Sequence, residues 1–245
     1  MAERAPSFDE LRERLDGVRR RIEACARRSG RDPAEITLVA VSKTHPPALL
    51  RRAIEAGVSD LGENRVQEAE AKITEVGRRR ARWHLIGHLQ ANKARRAVTL
   101  FDLIHSVDSV PLARRLERLC AEEGRDELPV LIQVDLAHEE TKSGVDEGGL
   151  AELVGVIRAC ERLRLTGLMT LPPFFEDAEQ ARPYFRRLRE LRDISSARMD
   201  FGDARGELSM GMSHDYEVAI EEGATMVRIG TAIFGERPLA PGQSP

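Results

Sequence analysis

Lysine is scarce in this sequence. Of its 38 basic side chains only four are lysine, namely Lys43, Lys72, Lys93 and Lys142, and the rest are arginine. A chain that uses arginine for plain surface charge makes each lysine informative. Of the two residues, only lysine offers an amine that can lose its proton and attack a carbonyl. For Lys72 the pattern predicts an exposed charge on a helix. Aromatic residues are also few, at 4%, and none is interleaved with the arginine clusters at 19–21 and 78–82. Only Trp83 lies nearby, and it reads as core. With a net charge of −3, these clusters are expected to be solvated faces, with no nucleic acid and no anionic membrane as partner. Three cysteines, Cys25, Cys120 and Cys160, lie far apart in helical segments. They make neither a disulfide framework nor a metal-spaced cluster, which points to a reducing compartment. No run approaches the ~18 apolar residues of a membrane span, and residues 1–16 lack the apolar core of a signal peptide. A cytoplasmic protein without a metal is the expectation.

What is present is a regular alternation. Apolar residues at Phe8, Leu11, Leu15, Val18, Ile22 and Ala26 predict a helix over 7–29, ended by Gly30. The β-branched run 36–42 reads as a strand buried on both faces. Further strands are expected near 60–62, 83–86, 103–106, 130–134, 165–169, 207–209 and 226–229. Helices are expected at 47–56, 66–76, from 92, from 109, and at 149–160, 178–194 and 214–222. Eight short strands, mostly followed by helices, predict a parallel sheet, and eight units in about 210 residues fit the compact end of a single (β/α)8 barrel. No G-x-G-x-x-G follows the first strand, which weakens the doubly wound, dinucleotide-binding alternative. The reading is one domain over 1–245, with an added N-terminal helix and a disordered tail over 240–245.

In such a barrel, chemistry sits at the C-terminal ends of the strands. Lys43 follows the first strand directly. Partial desolvation at the barrel mouth would lower its pKa and favour the nucleophilic amine; the rival reading is a lysine reaching out to solvent. The small-residue loop 209–213 runs into a helix with Ser213 placed as its N-cap, and Gly230 and Thr231 offer a second close backbone and a hydroxyl. Together they suggest a phosphate cradle, the rival being a plain cap and a glycine turn. Asp215 and Glu217 in the same turn would compete with a phosphate. Arg228 lies inside the apolar run 225–230, so its guanidinium needs either an ion-pair partner or a ligand acceptor such as a ring nitrogen. His84 and His88 have i, i+4 spacing, but the segment lacks a glutamate and reads as a strand, so no zinc site is expected.

Several segments together resemble the pyridoxal-phosphate homeostasis protein family, which shares its fold with the barrel domain of alanine racemase (fold type III among pyridoxal 5'-phosphate, PLP, proteins). They are LVAVSKT at 38–44, GENRVQE at 62–68, WHLIGHLQANK at 83–93, IHSVD at 104–108, KSG at 142–144, LTGLM at 165–169, LSMGMS at 208–213 and MVRIGTAIFG at 226–235. The resemblance implies PLP held as a Schiff base on Lys43. Ser213, Gly230, Thr231 and the backbone of Met212 would hold its phosphate. Arg228 would face the pyridine nitrogen and keep it unprotonated, which weakens the ring as an electron sink. Asn64 and His84 would line the cofactor, and Lys142 would be a secondary contact. No catalytic residue is implied. The loop 171–176 departs most from the family's pattern.

The function implied is intracellular PLP (vitamin B6) homeostasis by a monomer that carries PLP without robust catalysis, with PLP-dependent apoenzymes as expected recipients. Alanine racemase takes a second acid/base, a tyrosine, from an additional C-terminal β-domain. Here few residues follow the eighth strand, and Tyr184 and Tyr216 lie in predicted helices. The alternatives are a PLP-dependent racemase or lyase using His88 or His214 as its acid, and a barrel phosphosugar enzyme using Lys43 as its Schiff-base lysine.

Overall fold

Eight parallel strands close into one barrel in the computed structural model, which describes residues 6–137 and 143–235. The strands are β1 (Thr37–Val41), β2 (Asp60–Glu63), β3 (Arg82–Leu85), β4 (Leu103–Val107), β5 (Leu128–Gln133), β6 (Leu163–Met169), β7 (Glu207–Met212) and β8 (Met226–Ile229). Around them run α1 (Phe8–Arg28), α2 (Pro47–Glu55), α3 (Val66–Val76), α4 (Ala94–Leu100), α5 (Val110–Glu122), α6 (Glu147–Arg158), α7 (Arg182–Ala197), α8 (Tyr216–Glu221) and α9 (Thr231–Phe234). The (β/α)8 expectation is met, with α1 added before the first strand. That helix starts with a reciprocal Ser7–Glu10 capping box and buries Leu11, Leu15, Val18, Ile22 and Ala26, packing on α2, α8 and α9. None of the helices among the described residues is long and apolar enough to cross a membrane. All three cysteines are free thiols.

The alternation of strand residues decides what fills the barrel. Outward positions such as Ala40, Leu61, Trp83, Leu85, Ile104, Ile132, Leu168, Leu208 and Val227 join the apolar faces of the helices in one core. The inward positions are different. A small apolar cluster of Leu103, Leu131, Met169 and Met226 shares the interior with the buried polar residues His84, His105, Ser209 and Arg228. A barrel that places this much polar surface inside must pair it completely.

Two boundaries moved for physical reasons. The strand expected at 207–209 continues to Met212, because Gly211 at φ +89° allows a register shift between Ser209 and Met212 that keeps the chain beside β8. The following helix is correspondingly shorter. At Gly167 an added Cβ would lie 2.1 Å from the backbone oxygen of Glu207, where β6 meets β7. Backbone cannot yield as a side-chain tip can. Gly167→Ala is therefore expected to lower unfolding stability by about 1–3 kcal/mol, and an unchanged urea midpoint would show that the two strands separate freely. Lys142 and the tail 240–245 lie outside the described residues.

Candidate functional site

The ends of β1, β7 and β8 meet at one rim of the barrel. Ala40 pairs with Ile229 and Met212 with Arg228. This register brings Lys43, two residues past β1, to the same end as Gly230 and Thr231 past β8 and Met212 and Ser213 at the end of β7. A Cβ at Gly230 would stand 3.3 Å from the carbonyl oxygen of Val41, so glycine there permits the two chains to run close.

The backbone at Lys43 is tightly held. Ser42 N–H donates to Gly62 O at 2.9 Å, extending the β1–β2 pairing, and His45 N–H donates back to Ser42 O at 3.1 Å. Between them Thr44 adopts φ +69°, a left-handed conformation that a β-branched residue takes rarely. Its N–H donates to the Glu68 carboxylate. Lys43 itself is half-buried.

Lys72 overturns its sequence expectation. It is not an exposed helix charge but is buried between α3 and the barrel wall. Its ammonium donates to Ser42 O at 2.7 Å, Glu63 Oε1 at 2.7 Å and Glu68 Oε1 at 2.6 Å. Burial holds the Glu63 carboxyl above the usual range despite Lys72 beside it. Glu68 is less buried; burial pushes its carboxyl up, but Lys72 and the Thr44 N–H outweigh that and hold it low.

Arg228 is buried inside the barrel and forms no ion pair within salt-bridge distance among the described residues. It donates to Ser209 Oγ at 2.6 Å and to Thr170 O at 2.9 Å. The chain of contacts continues from Ser209 Oγ to His105 Nδ1 at 2.9 Å, from His105 Nε2 to His84 Nδ1 at 2.9 Å, and from His84 Nε2 to Asp60 Oδ1 at 2.9 Å. Donor counting fixes its direction. The Asp60 carboxylate can only accept, so neutral His84 donates to it from Nε2 and accepts at Nδ1 from His105, which in turn accepts at Nδ1 from the Ser209 hydroxyl. Both imidazoles are neutral in this arrangement. Burial pushes both histidines down, His105 well below the ordinary range. For Asp60 burial acts upward, but the hydrogen bonds from His84 and Ser59 prevail and keep it ionised. Burial also pushes the Arg228 guanidinium down to about 10, against the pull of Asp215. Arg228 thus stands at one end of a chain of polar side chains, Ser209, His105 and His84, whose other end is Asp60, and the carboxylate that acts on its charge is Asp215.

The two loops of the expected cradle are joined to each other. Gly230 N–H donates to Ser213 Oγ at 3.2 Å. Ser213 is therefore not the N-cap of α8; that position belongs to Asp215. The Met212 N–H is also taken, by Asp215 Oδ1 at 2.6 Å. With only six residues, α8 contributes little dipole, so any anion here depends on individual donors. Such donors exist. The N–H groups of His214, Thr231 and Ala232 are not taken up by bonds among the described residues, and the hydroxyls of Ser213 and Thr231 stand beside them. Glu217, expected to compete with a phosphate, turns away toward Arg28 at 3.7 Å.

The remaining candidates separate. Asn64 follows β2 with its backbone pressed on the end of β3, where a Cβ on Gly87 would lie 2.4 Å from Asn64 O. His84 is fully buried with both ring nitrogens bonded to protein, so it belongs to the internal chain rather than to the open rim. His88 is exposed and bonds Asp108 at 3.2 Å. His214 bonds Glu176 O at 2.9 Å and packs on Phe174. Tyr184 stacks on Phe175, and Tyr216 is buried at the start of α8. The sequence reading missed His105, Ser209 and Asp60. Their inward strand parity with His84 and Arg228 was the available signal.

Lys43, Arg228 and the unspent donors of the 213–214 and 230–232 loops share one end of the barrel, and that set fits an aldehyde-bearing pyridine phosphate. Residues 14–238 match the family model described as the alanine racemase N-terminal domain. A protein of Aquifex aeolicus named pyridoxal phosphate homeostasis protein is 44% identical over 92% of this chain and 97% of its own. Its namesake from Escherichia coli is 42% identical over 94% of this chain and 98% of its own. PipY of Synechococcus elongatus, solved with PLP bound, matches with a TM-score of 0.79 at 39% identity, over 92% of this chain and 100% of that one. Alanine racemase from Corynebacterium glutamicum matches with a TM-score of 0.67 at 18% identity, over 96% of this chain and 63% of that one, a likeness of fold alone.

Proposed function

The chain belongs to the alanine racemase N-terminal domain family and, within it, to the pyridoxal phosphate homeostasis proteins, and on that footing we propose that it binds PLP on Lys43 and serves PLP homeostasis as a carrier. The observation that supports this reading is that Lys43, two residues past β1, lies at the same end of the barrel as the unspent N–H donors after β7 and β8. When bound, PLP supplies a reactive aldehyde and a ring that can accept electrons. The residues here favour holding it over using it. Arg228 offers the ring nitrogen a cationic donor, not a proton acceptor, so nothing in the pair promotes a protonated pyridine. Ser213, Thr231 and the N–H groups of His214, Thr231 and Ala232 grip the phosphate, with the Ser213–Gly230 bond keeping the two loops together. Asn64 lies along the rim.

The Aquifex aeolicus and Escherichia coli relatives, which match over nearly their whole length, are named for PLP homeostasis and not for a reaction. This disfavours the racemase or lyase alternative. The expected recipients are PLP-dependent apoenzymes. Three free thiols, each pushed up by burial, suit a reducing, cytoplasmic setting. Borohydride reduction of the PLP-loaded protein followed by peptide mapping tests the attachment. Label on the peptide containing Lys43 is expected, and label elsewhere overturns the assignment. Turnover of an amino acid at ordinary enzymatic rates, with defined stereochemistry, would instead establish the racemase or lyase reading.

A further inference from the structure

The cluster beneath Lys43 has a shape that stability alone does not explain. Lys72 has three N–H donors, and each is accounted for by a different acceptor: Ser42 O, Glu63 Oε1 and Glu68 Oε1. Two of its partners reach the residues on either side of Lys43. On one side the Ser42 carbonyl accepts from Lys72 directly, and the Ser42 hydroxyl donates to Glu63 Oε1 at 2.6 Å. On the other side Glu68, four residues before Lys72 on the same face of α3, accepts from the Thr44 N–H. Thr44 is held at φ +69°, a conformation that a non-glycine residue keeps only where the surroundings impose it. The cluster thus acts on the backbone at both neighbours of a single residue.

We propose that Lys72 and Glu68 are positioning residues, which fix the backbone around Lys43 so that its amine meets the PLP aldehyde. This rests on the reading of Lys43 as the attachment lysine. In that attachment the amine adds to the aldehyde carbon, a C=N bond forms and one water leaves. The bonds of Lys72 and Glu68 go to Ser42, Glu63, Thr44 and each other, so they would act on Lys43 through its two neighbours. A displacement of about 1 Å can cost on the order of 100-fold when reacting groups must meet, so loosening this turn should weaken the covalent step and leave the phosphate grip unchanged.

The test compares PLP with pyridoxine 5'-phosphate, which keeps the phosphate and ring but has an alcohol in place of the aldehyde. Affinities for both ligands are measured in the full chain and in Lys72→Met, Glu68→Ala and Glu68→Gln, alongside urea unfolding of each. Glu68→Ala should weaken PLP binding about tenfold or more, with the pyridoxine 5'-phosphate affinity changed less than about twofold. Glu68→Gln keeps an acceptor for the Thr44 N–H and should recover most of the loss. Lys72→Met should behave like Glu68→Ala where it folds. Because Glu68 is partly exposed, the Glu68 pair decides the matter even if Lys72→Met does not fold. Equal loss of both ligands, or no loss of PLP in folded Glu68→Ala, overturns the positioning role while leaving Lys43 in place. Equal affinity of the unaltered protein for the two ligands overturns the reading of Lys43, and the inference with it.

Discussion

Between pH 7 and pH 5 the fold is expected to lose stability to two histidines that it keeps neutral. His84 and His105 are fully buried, and burial pushes both pKa values down. Asp60 pulls His84 back only in part; His84 and Arg228 push His105 further down. In the unfolded chain both rings meet water and titrate near the ordinary value of about 6.5. The direction follows from where the protons bind. Above that value neither state is protonated, and the full stability is present. As the pH falls, only the unfolded state takes up protons, and stability drains away. Each ring contributes at most about 1.4 kcal/mol per pH unit. Glu63 and Asp215, held above the usual range by burial, are protonated earlier in the fold and trim the loss at the acid end. Urea unfolding at pH 7, 6 and 5 measures the slope. His105→Gln, which keeps one donor and one acceptor in the chain, should roughly halve the histidine share. A flat profile would mean that the native rings accept protons and the neutral, one-directional chain is wrong.

That chain also marks the boundary between what the sequence made legible and what it did not. Alternating strands and helices exposed the barrel, because period-two and period-3.6 patterns are local. The rim residues were equally readable, since Lys43, Ser213, Gly230 and Thr231 immediately follow strands. Arg228 was recognisable as a problem: a guanidinium in an apolar run needs a partner. Its solution was not readable. The partner Ser209 is 19 residues away and Asp60 lies across the barrel, and only closure of the sheet brings β2, β3, β4, β7 and β8 together around one axis.

Lys72 failed for a different reason. Helix propensity treats a lysine at an outer position as solvated, and α3 taken alone gives no sign of burial at that point. What buries it is Glu63, whose side chain leaves the outward face of β2 and meets α3. Glu63 lies one residue past the strand expected at 60–62, and Glu63 and Glu68 both lie in the GENRVQE segment. A buried carboxylate in that segment demanded a cation, and Lys72, four residues after Glu68, was the available one. The error has a useful consequence. Of the four lysines, the one dismissed as surface charge and the one chosen for chemistry meet through Ser42.

Lys43→Ala tests how much of PLP retention depends on that one amine. The variant is expected to lose ~100-fold or more in apparent affinity, about 2.7 kcal/mol, and to carry no label after borohydride reduction. Among the described residues no other lysine is equipped to replace it. The Lys72 ammonium is spent on three acceptors and buried. Lys93 ends the short turn Ala91–Lys93 beyond β3, two strands round the barrel from β1. The phosphate donors and Arg228 are untouched by the substitution, so PLP should still bind, in exchange with solution and removable by dialysis. Its affinity should approach that of pyridoxine 5'-phosphate for the unaltered protein, since both then rely on the same cradle. Unfolding in urea checks that the variant keeps its fold. Retention equal to the unaltered protein would mean that the cradle alone holds PLP, and that Lys43 is no more than a neighbour of the aldehyde. Loss of both ligands together would instead make Lys43 part of the phosphate grip. The outcome expected from the geometry lies between these: the amine sets how long PLP stays, and the loops set where.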